Sequence, residues 1–315
     1  MAFRVDGLIP ATVLPMTADG GIDEAGLRAY VRWIAGQGVV GLAINADTGE
    51  SAHLTHAEKV RTIEIVRSEI PPDLAIIAGL GGPSTGEAVR QAEAYRAAGA
   101  DALLVFPISA YLATPLDPEI PVRYHRAVAE VGLPMIVFQL QPALGGVLFD
   151  EATLGRLARI DGVAAIKEAS FDARRYLDTV ALVRSLDRPI GVLTGNDNFI
   201  YESFLLGADR GLGADGALIG FGAVMTREQV ELIRLARERR WDEAAPLARR
   251  VQALADVVFA PPVSSYRARL KEILVMQGIL ERSAVREPLL PISEAERMVL
   301  REALEELDLL EVTAA

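Results

Sequence analysis

The chain of 315 residues carries 32 basic and 43 acidic side chains, a net charge of −11, 51% hydrophobic residues and no cysteine. Such a composition supports a sizeable core and excludes disulfides, thiolate nucleophiles and cysteine-ligated metals. A diffuse negative surface argues against nucleic acid or an anionic membrane as partner. No apolar run approaches the roughly 18 residues of a membrane span. Asp6 and Pro10 interrupt the opening where a signal peptide would be apolar, so the expected location is cytoplasmic.

In chain order, short apolar runs alternate with amphipathic stretches. The runs are Ile9–Leu14, Val39–Ile44, Leu74–Ala78, Ala102–Phe106, Met135–Phe138, Val163–Ile166, Ile190–Leu193 and Ala217–Ile219. Helical patterns start near Glu24, Thr55, Thr85, Asp117, Asp150, Asp172, Asn196 and Thr226, several of them on capping residues. Apolar runs without polar alternation read as parallel strands covered on both faces. Eight such units predict an α/β fold, the (β/α)8 TIM barrel, with a C-terminal helical extension. Residues 1–225 would form the barrel core through strand eight, and 226–315 the last barrel helix and a helical region near 241–258, 263–280 and 293–309. An open doubly wound sheet is the competing architecture. It needs a dinucleotide fingerprint that the chain lacks: Gly79-Leu80-Gly81-Gly82-Pro83 has neither the spacing nor the following acid, and reads as a tight turn. Gly-Ala-Asp occurs twice within 207–216, as if a short duplication lengthened the loop before strand eight.

Only three basic residues are lysines: Lys59, Lys167 and Lys271. Lys59 and Lys271 lie in charged helical patterns and read as solvated. Lys167 ends an apolar strand, so it faces the carboxyl end of the barrel, where active sites of this fold lie. Partial desolvation there lowers a lysine's pKa toward neutrality and yields a nucleophilic amine, which arginine cannot supply. The competing reading is an ion pair with Glu168 or Asp47. After strand two, Asn45-Ala46-Asp47-Thr48-Gly49-Glu50 offers a hydroxyl and backbone amides suited to a carboxylate. A plain loop with Glu50 as a helix cap is the default reading of that stretch. His53 and His56 lack the glutamate and third ligand of a zinc helix. His125 reads as a surface or interface residue, and the run 234–240 as a solvated helix face.

Several of these motifs together resemble the family of dihydrodipicolinate synthase and N-acetylneuraminate lyase. They are Ala11-Thr12-Val13-Leu14-Pro15-Met16-Thr17 with Gly20-Gly21-Ile22-Asp23, the 46–50 loop, 99–107, Ala165-Ile166-Lys167-Glu168-Ala169-Ser170 and Gly195-Asn196-Asp197. The resemblance implies a homotetrameric barrel forming Schiff bases with pyruvate or related 2-keto acids, without metal or organic cofactor. It makes Lys167 the imine lysine, has Thr48 hold the keto-acid carboxylate with help from the Asp47 backbone, and places Leu218 in the pocket.

Departures from the family pattern are equally definite. Phe138 stands where the family carries its acid/base tyrosine, so it has no proton to give, and dihydrodipicolinate synthase activity itself is expected to be absent or slow. The family's second tyrosine is also missing after strand four. Tyr111, with a different offset, is the candidate to reach a neighbouring subunit's site. Asp47 replaces a relay threonine and is either a compensating base or an ion-pair partner or helix cap. The expectation is therefore a Schiff-base lyase, aldolase or dehydratase acting on a 2-keto acid or 2-keto sugar acid, with Lys167 and Asp47 catalytic and Thr48, Asp47, Leu218 and Phe138 binding substrate. The alternative is a non-catalytic 2-keto-acid binder on the same barrel.

Overall fold

A computed structural model describes residues 3–111 and 116–310. The strands are β1 (Leu8–Pro10), β2 (Gly41–Ile44), β3 (Ala75–Leu80), β4 (Ala102–Val105), β5 (Met135–Leu140), β6 (Val163–Ala169), β7 (Gly191–Thr194) and β8 (Gly216–Ile219). Between and after them come α1 (Glu24–Ala35), α2 (His56–Glu69), α3 (Thr85–Ala98), α4 (Glu119–Ala129), α5 (Glu151–Ala158), α6 (Ala173–Arg184), α7 (Ile200–Leu205) and α8 (Thr226–Arg237). The strands pair in parallel in the order β1-β8-β7-β6-β5-β4-β3-β2. Bonds from Val40 N–H to the Leu8 carbonyl and from Thr12 N–H to the Ala43 carbonyl bring β1 and β2 together, so the sheet closes as a barrel. Each predicted apolar run contributes a strand. The predicted helix starts hold to within a few residues, several fixed by side-chain caps at Asp23, Thr55, Ser84, Asp150 and Asp172.

Alternation along the strands separates two apolar groups. Ile9, Ile77, Leu104, Ile136, Leu193 and Leu218 fill the barrel interior. Their neighbours, such as Leu8, Ile76, Leu103, Val192 and Ile219, join the larger layer between barrel and helices. Strands buried on both faces are thus apolar throughout, which is why they read without alternation.

Past α8 lie α9 (Trp241–Val258), α10 (Tyr266–Met276) and α11 (Glu294–Glu306). Helix α10 corrects one sequence reading. Lys271 is not solvated: it is fully buried and ion-paired with Glu50, also fully buried, while donating to the Ala284 carbonyl at 2.7 Å. Glu50 makes no helix-capping bond with its side chain, contrary to the default reading. It accepts instead from the Arg286 N–H at 2.8 Å. His125 is another correction. It sits within α4, 2% exposed, with Nδ1 2.7 Å from the Pro121 carbonyl, and burial pushes its pKa down to about 4. The 207–216 loop lies at the amino ends of the strands, away from the mouth, because Asp215 accepts from Val192 N–H at the start of β7. The 234–240 run does form a solvated face, laced by Arg234–Glu231 and Arg240–Glu243 pairs.

Removing one partner of a buried ion pair leaves the other charge uncompensated and costs about 3–5 kcal/mol. Lys271→Met should therefore lower the unfolding free energy by that order in a denaturant titration. A loss of under ~1 kcal/mol would show that the pair does not hold α10 to the barrel.

Candidate active site

Lys167 lies on the inward face of β6, in register with Phe138 of β5. Its Nζ stands 4.0 Å from the Phe138 ring centroid, and Phe138 packs edge-on against Phe106 at 5.0 Å. Gly195, just past β7, makes room for it. A Cβ there would come within 2.7 Å of Lys167 Cε, so the lysine reaches its position only against a glycine. Burial lowers the Lys167 pKa to about 8, opposed by the negative charges of Asp197 and Asp47. Asp197 is buried in turn, which raises its carboxyl to about 6. It accepts a 2.8 Å bond from the Phe221 N–H.

Neither ion pair weighed for Lys167 forms. Glu168 projects from the opposite face of β6, where it accepts from Asn196 Nδ2 at 2.8 Å and Ser170 N–H at 3.2 Å. Asp47 is ion-paired with Arg267 of α10. Among the described residues Lys167 has no salt-bridge partner within 4 Å.

The loop after β2 is the second component. Asn45 and Glu50, at its two ends, both have left-handed backbones, with φ of 56° and 58°. Gly79 of β3 packs against it so closely that a Cβ would meet the Asn45 carbonyl oxygen at 2.1 Å. Within the loop, the Tyr266 hydroxyl of α10 donates to Asp47 Oδ2 at 2.7 Å and lies 3.3 Å from Thr48 Oγ1. Arg267 Nε donates to the Asp47 carbonyl at 2.9 Å. Burial, with the Asp47 charge beside it, holds the Tyr266 pKa well above the usual phenol value, so the hydroxyl keeps its proton. Thr48 and Tyr266 also meet over Gly220, just beyond β8.

Of the seven tyrosines, Tyr266 is one that the sequence reading does not single out. Tyr266 comes from a helix outside the barrel repeat and carries no motif; only the lack of a phenol at position 138 prompts a search for one elsewhere. Tyr111 lies in a short 3-10 turn, Ser109–Tyr111, on the wall of a separate small apolar cleft with Ile120, Tyr124 and His125. Leu218 is fully buried within the barrel packing, opposite Ile9 in register. Lys59 is a further correction. It lines a cavity of about 370 Å³ at the mouth, together with Asp47, Ser51 and Phe106, and is not on a solvated face. Burial lowers its pKa. No cluster of three or more His, Asp or Glu side chains suited to a metal occurs among the described residues.

Residues 4–307 match the dihydrodipicolinate synthetase family. The chain belongs to that family. It is 32% identical over 280 residues to the 4-hydroxy-tetrahydrodipicolinate synthase of Methanothermobacter thermautotrophicus, covering 87% of this chain and 93% of that one. It is 29% identical over 296 residues to the N-acetylneuraminate lyase of Salmonella agona, covering 93% and 94%. Among solved structures, the chloride-inhibited dihydrodipicolinate synthase of Acinetobacter baumannii, complexed with pyruvate, superposes with a TM-score of 0.84 at 28% identity, over 97% of this chain and all of that one. Phe138 gives Lys167 an aromatic face but no hydroxyl, and the phenol near Thr48 comes from α10.

Amine reactivity needs the neutral form, so imine formation with a keto acid should rise with pH through about 8, the Lys167 value. The Asp197 carboxylate raises that value, and removing its charge should lower it. Asp197→Asn should therefore move the midpoint of the borohydride-trapping rate to lower pH. A midpoint near the free-lysine value of ~10.4, or a shift to higher pH in the variant, would contradict this electrostatic account.

Proposed function

We propose that this protein is a Schiff-base-forming lyase, aldolase or dehydratase acting on pyruvate or another 2-keto acid, with Lys167 as the imine former. The observation that carries the reading is a buried amine at the barrel mouth with a lowered pKa and no salt-bridge partner among the described residues. Family membership and the pyruvate complex of the Acinetobacter baumannii relative support it. In this reaction the neutral amine adds to C2 of the keto acid and, with uptake of one proton, the C2 oxygen leaves as water. The resulting cationic imine accepts the electron pair released by C–C cleavage or by loss of a proton from C3.

Proton movement then needs a route that avoids Phe138. The proposed route is the chain Thr48–Tyr266–Asp47. Tyr266 donates to Asp47, so a proton accepted at Thr48 Oγ1 can be passed on as Thr48 donates to Tyr266 and Tyr266 to Asp47. Arg267 neutralises the carboxylate at the far end. Asp47 is thereby assigned to the end of a relay, not to a direct attack on C3. The route does not reproduce the family's arrangement, which is why authentic dihydrodipicolinate synthase turnover should be slow or absent.

Borohydride reduction with pyruvate should add a lactyl-sized mass to the peptide holding Lys167 and to neither Lys59 nor Lys271. In the same protein, Tyr266→Phe should keep the trap while turnover falls about 10²–10⁴-fold, the usual size of general acid–base assistance. Phe138→Tyr placed on that background should restore part of the loss. Labelling at another lysine, or none with any keto acid, would refute the imine. Full turnover in Tyr266→Phe would refute the relay. An intact trap with no turnover of any keto acid by the wild type would favour a binding protein.

A further inference from the structure

The three lysines of this chain have three different surroundings. Lys271 is neutralised by Glu50, and Lys167 sits against Phe138. Lys59, on α2, has neither. Its ammonium is partly desolvated on the wall of the mouth cavity, and among the described residues it has no hydrogen bond or ion pair. A half-buried cation normally finds a carboxylate or stays in bulk water; here it does neither. The other charged side chain on the cavity wall, Asp47, is compensated by Arg267, so Lys59 leaves the wall with one net positive charge.

Asp47 on the cavity wall is close enough for its charge to act on Lys167. Phe106 on the same wall packs against Phe138, which packs against Lys167. At about 370 Å³ the cavity lies in the range of ordinary small-molecule sites, ~300–1,000 Å³, and exceeds what a three-carbon keto acid fills. Pro83, Phe106, Pro107 and Leu140 supply an apolar stretch, and Ser51 adds a hydroxyl to the lining of the same cavity. One cation and one hydroxyl suit a carboxylate better than a phosphate. The adjacent glycine turn is not a phosphate cradle, because its Gly82 N–H already donates to the Tyr124 hydroxyl at 3.2 Å.

We infer that this cavity, walled by Lys59 and Ser51, receives a second carboxylate at the distal end of the substrate, so that the preferred ligand is a 2-keto dicarboxylic acid. The inference rests on the imine reading of Lys167, since it takes the keto-acid end to be held there. A net charge of −11 repels a dianion at long range, so such a ligand requires a local cation of this kind.

The test is competition at Lys167. Borohydride trapping is measured for 2-oxoglutarate, 2-oxoadipate and 2-oxopimelate, each against the monocarboxylic 2-oxo acid of equal length. In the wild type at least one diacid should half-saturate the trap at a tenfold or lower concentration than its match. Lys59→Met should erase that ratio and Lys59→Arg should retain it. Equal half-saturation for every pair in the wild type, or an unchanged ratio in Lys59→Met, would overturn the subsite while leaving the imine reading intact. Should no keto acid be trapped, the imine reading fails, and the cavity is read directly by calorimetric titration with glutarate. Binding that Lys59→Met abolishes supports the anionic subsite; no binding by the wild type overturns it.

Discussion

The grip of helix α10 on the loop after β2 is the constraint on which the mouth of the barrel depends. Two carboxylates of that loop, Asp47 and Glu50, are taken by two cations of one helix, Arg267 and Lys271. The spacing of four residues on α10 puts both cations on one face, and the carboxylates they meet stand three positions apart in the loop. Buried ion pairs contribute little net stability, because desolvation offsets their attraction, but each is costly to break singly. Their effect here is positional. They hold the loop between the left-handed Asn45 and Glu50, conformations that cost about 1–3 kcal/mol each when nothing enforces them. They also carry Tyr266 to Thr48. A helix that follows the barrel in sequence is therefore part of the barrel's mouth.

The second determinant is how Lys167 is left almost dry without being neutralised. Phe138 offers it a ring face, Gly195 offers it space, and Glu168 is turned to the other side of β6. Asp197 and Asp47 oppose the desolvation through space without forming a salt bridge to it. Desolvation wins, and the pKa of the amine falls to about 8. An ion-paired lysine in the same place would stay cationic and inert. Phe138 in this setting supplies no proton and adds apolar surface against the amine.

Much of this was legible in the sequence, for identifiable reasons. The strands announce themselves because both faces are buried, and Lys167 stands out because arginine serves almost every other basic position. Lys59 and Lys271 read as solvated because their helices carry charges on all sides, and local pattern does not reveal what a later helix will cover. His125 reads as a surface residue for the same reason. The doubled Gly-Ala-Asp at 207–216 was also deceptive. Asp215 accepts a strand N–H and pairs with Arg184, as Asp101 does with Ile76 N–H and Arg67 half a barrel away. The repeat that matters in the fold is thus between 99–101 and 213–215, while Asp209 of the tandem copy is simply exposed. Tyr266 and Arg267 had no local signal at all, since their meaning lies in which loop they reach.

The claim at the centre of this account is covalent, and a crystal structure of the protein soaked with pyruvate tests it most directly. The account requires continuous density from Lys167 Nζ to C2 of the ligand, the carboxylate beside Thr48, and the Tyr266 hydroxyl still bridging Thr48 and Asp47. Pyruvate held without a bond to Lys167, or bonded to Lys59 in the mouth cavity, would contradict it.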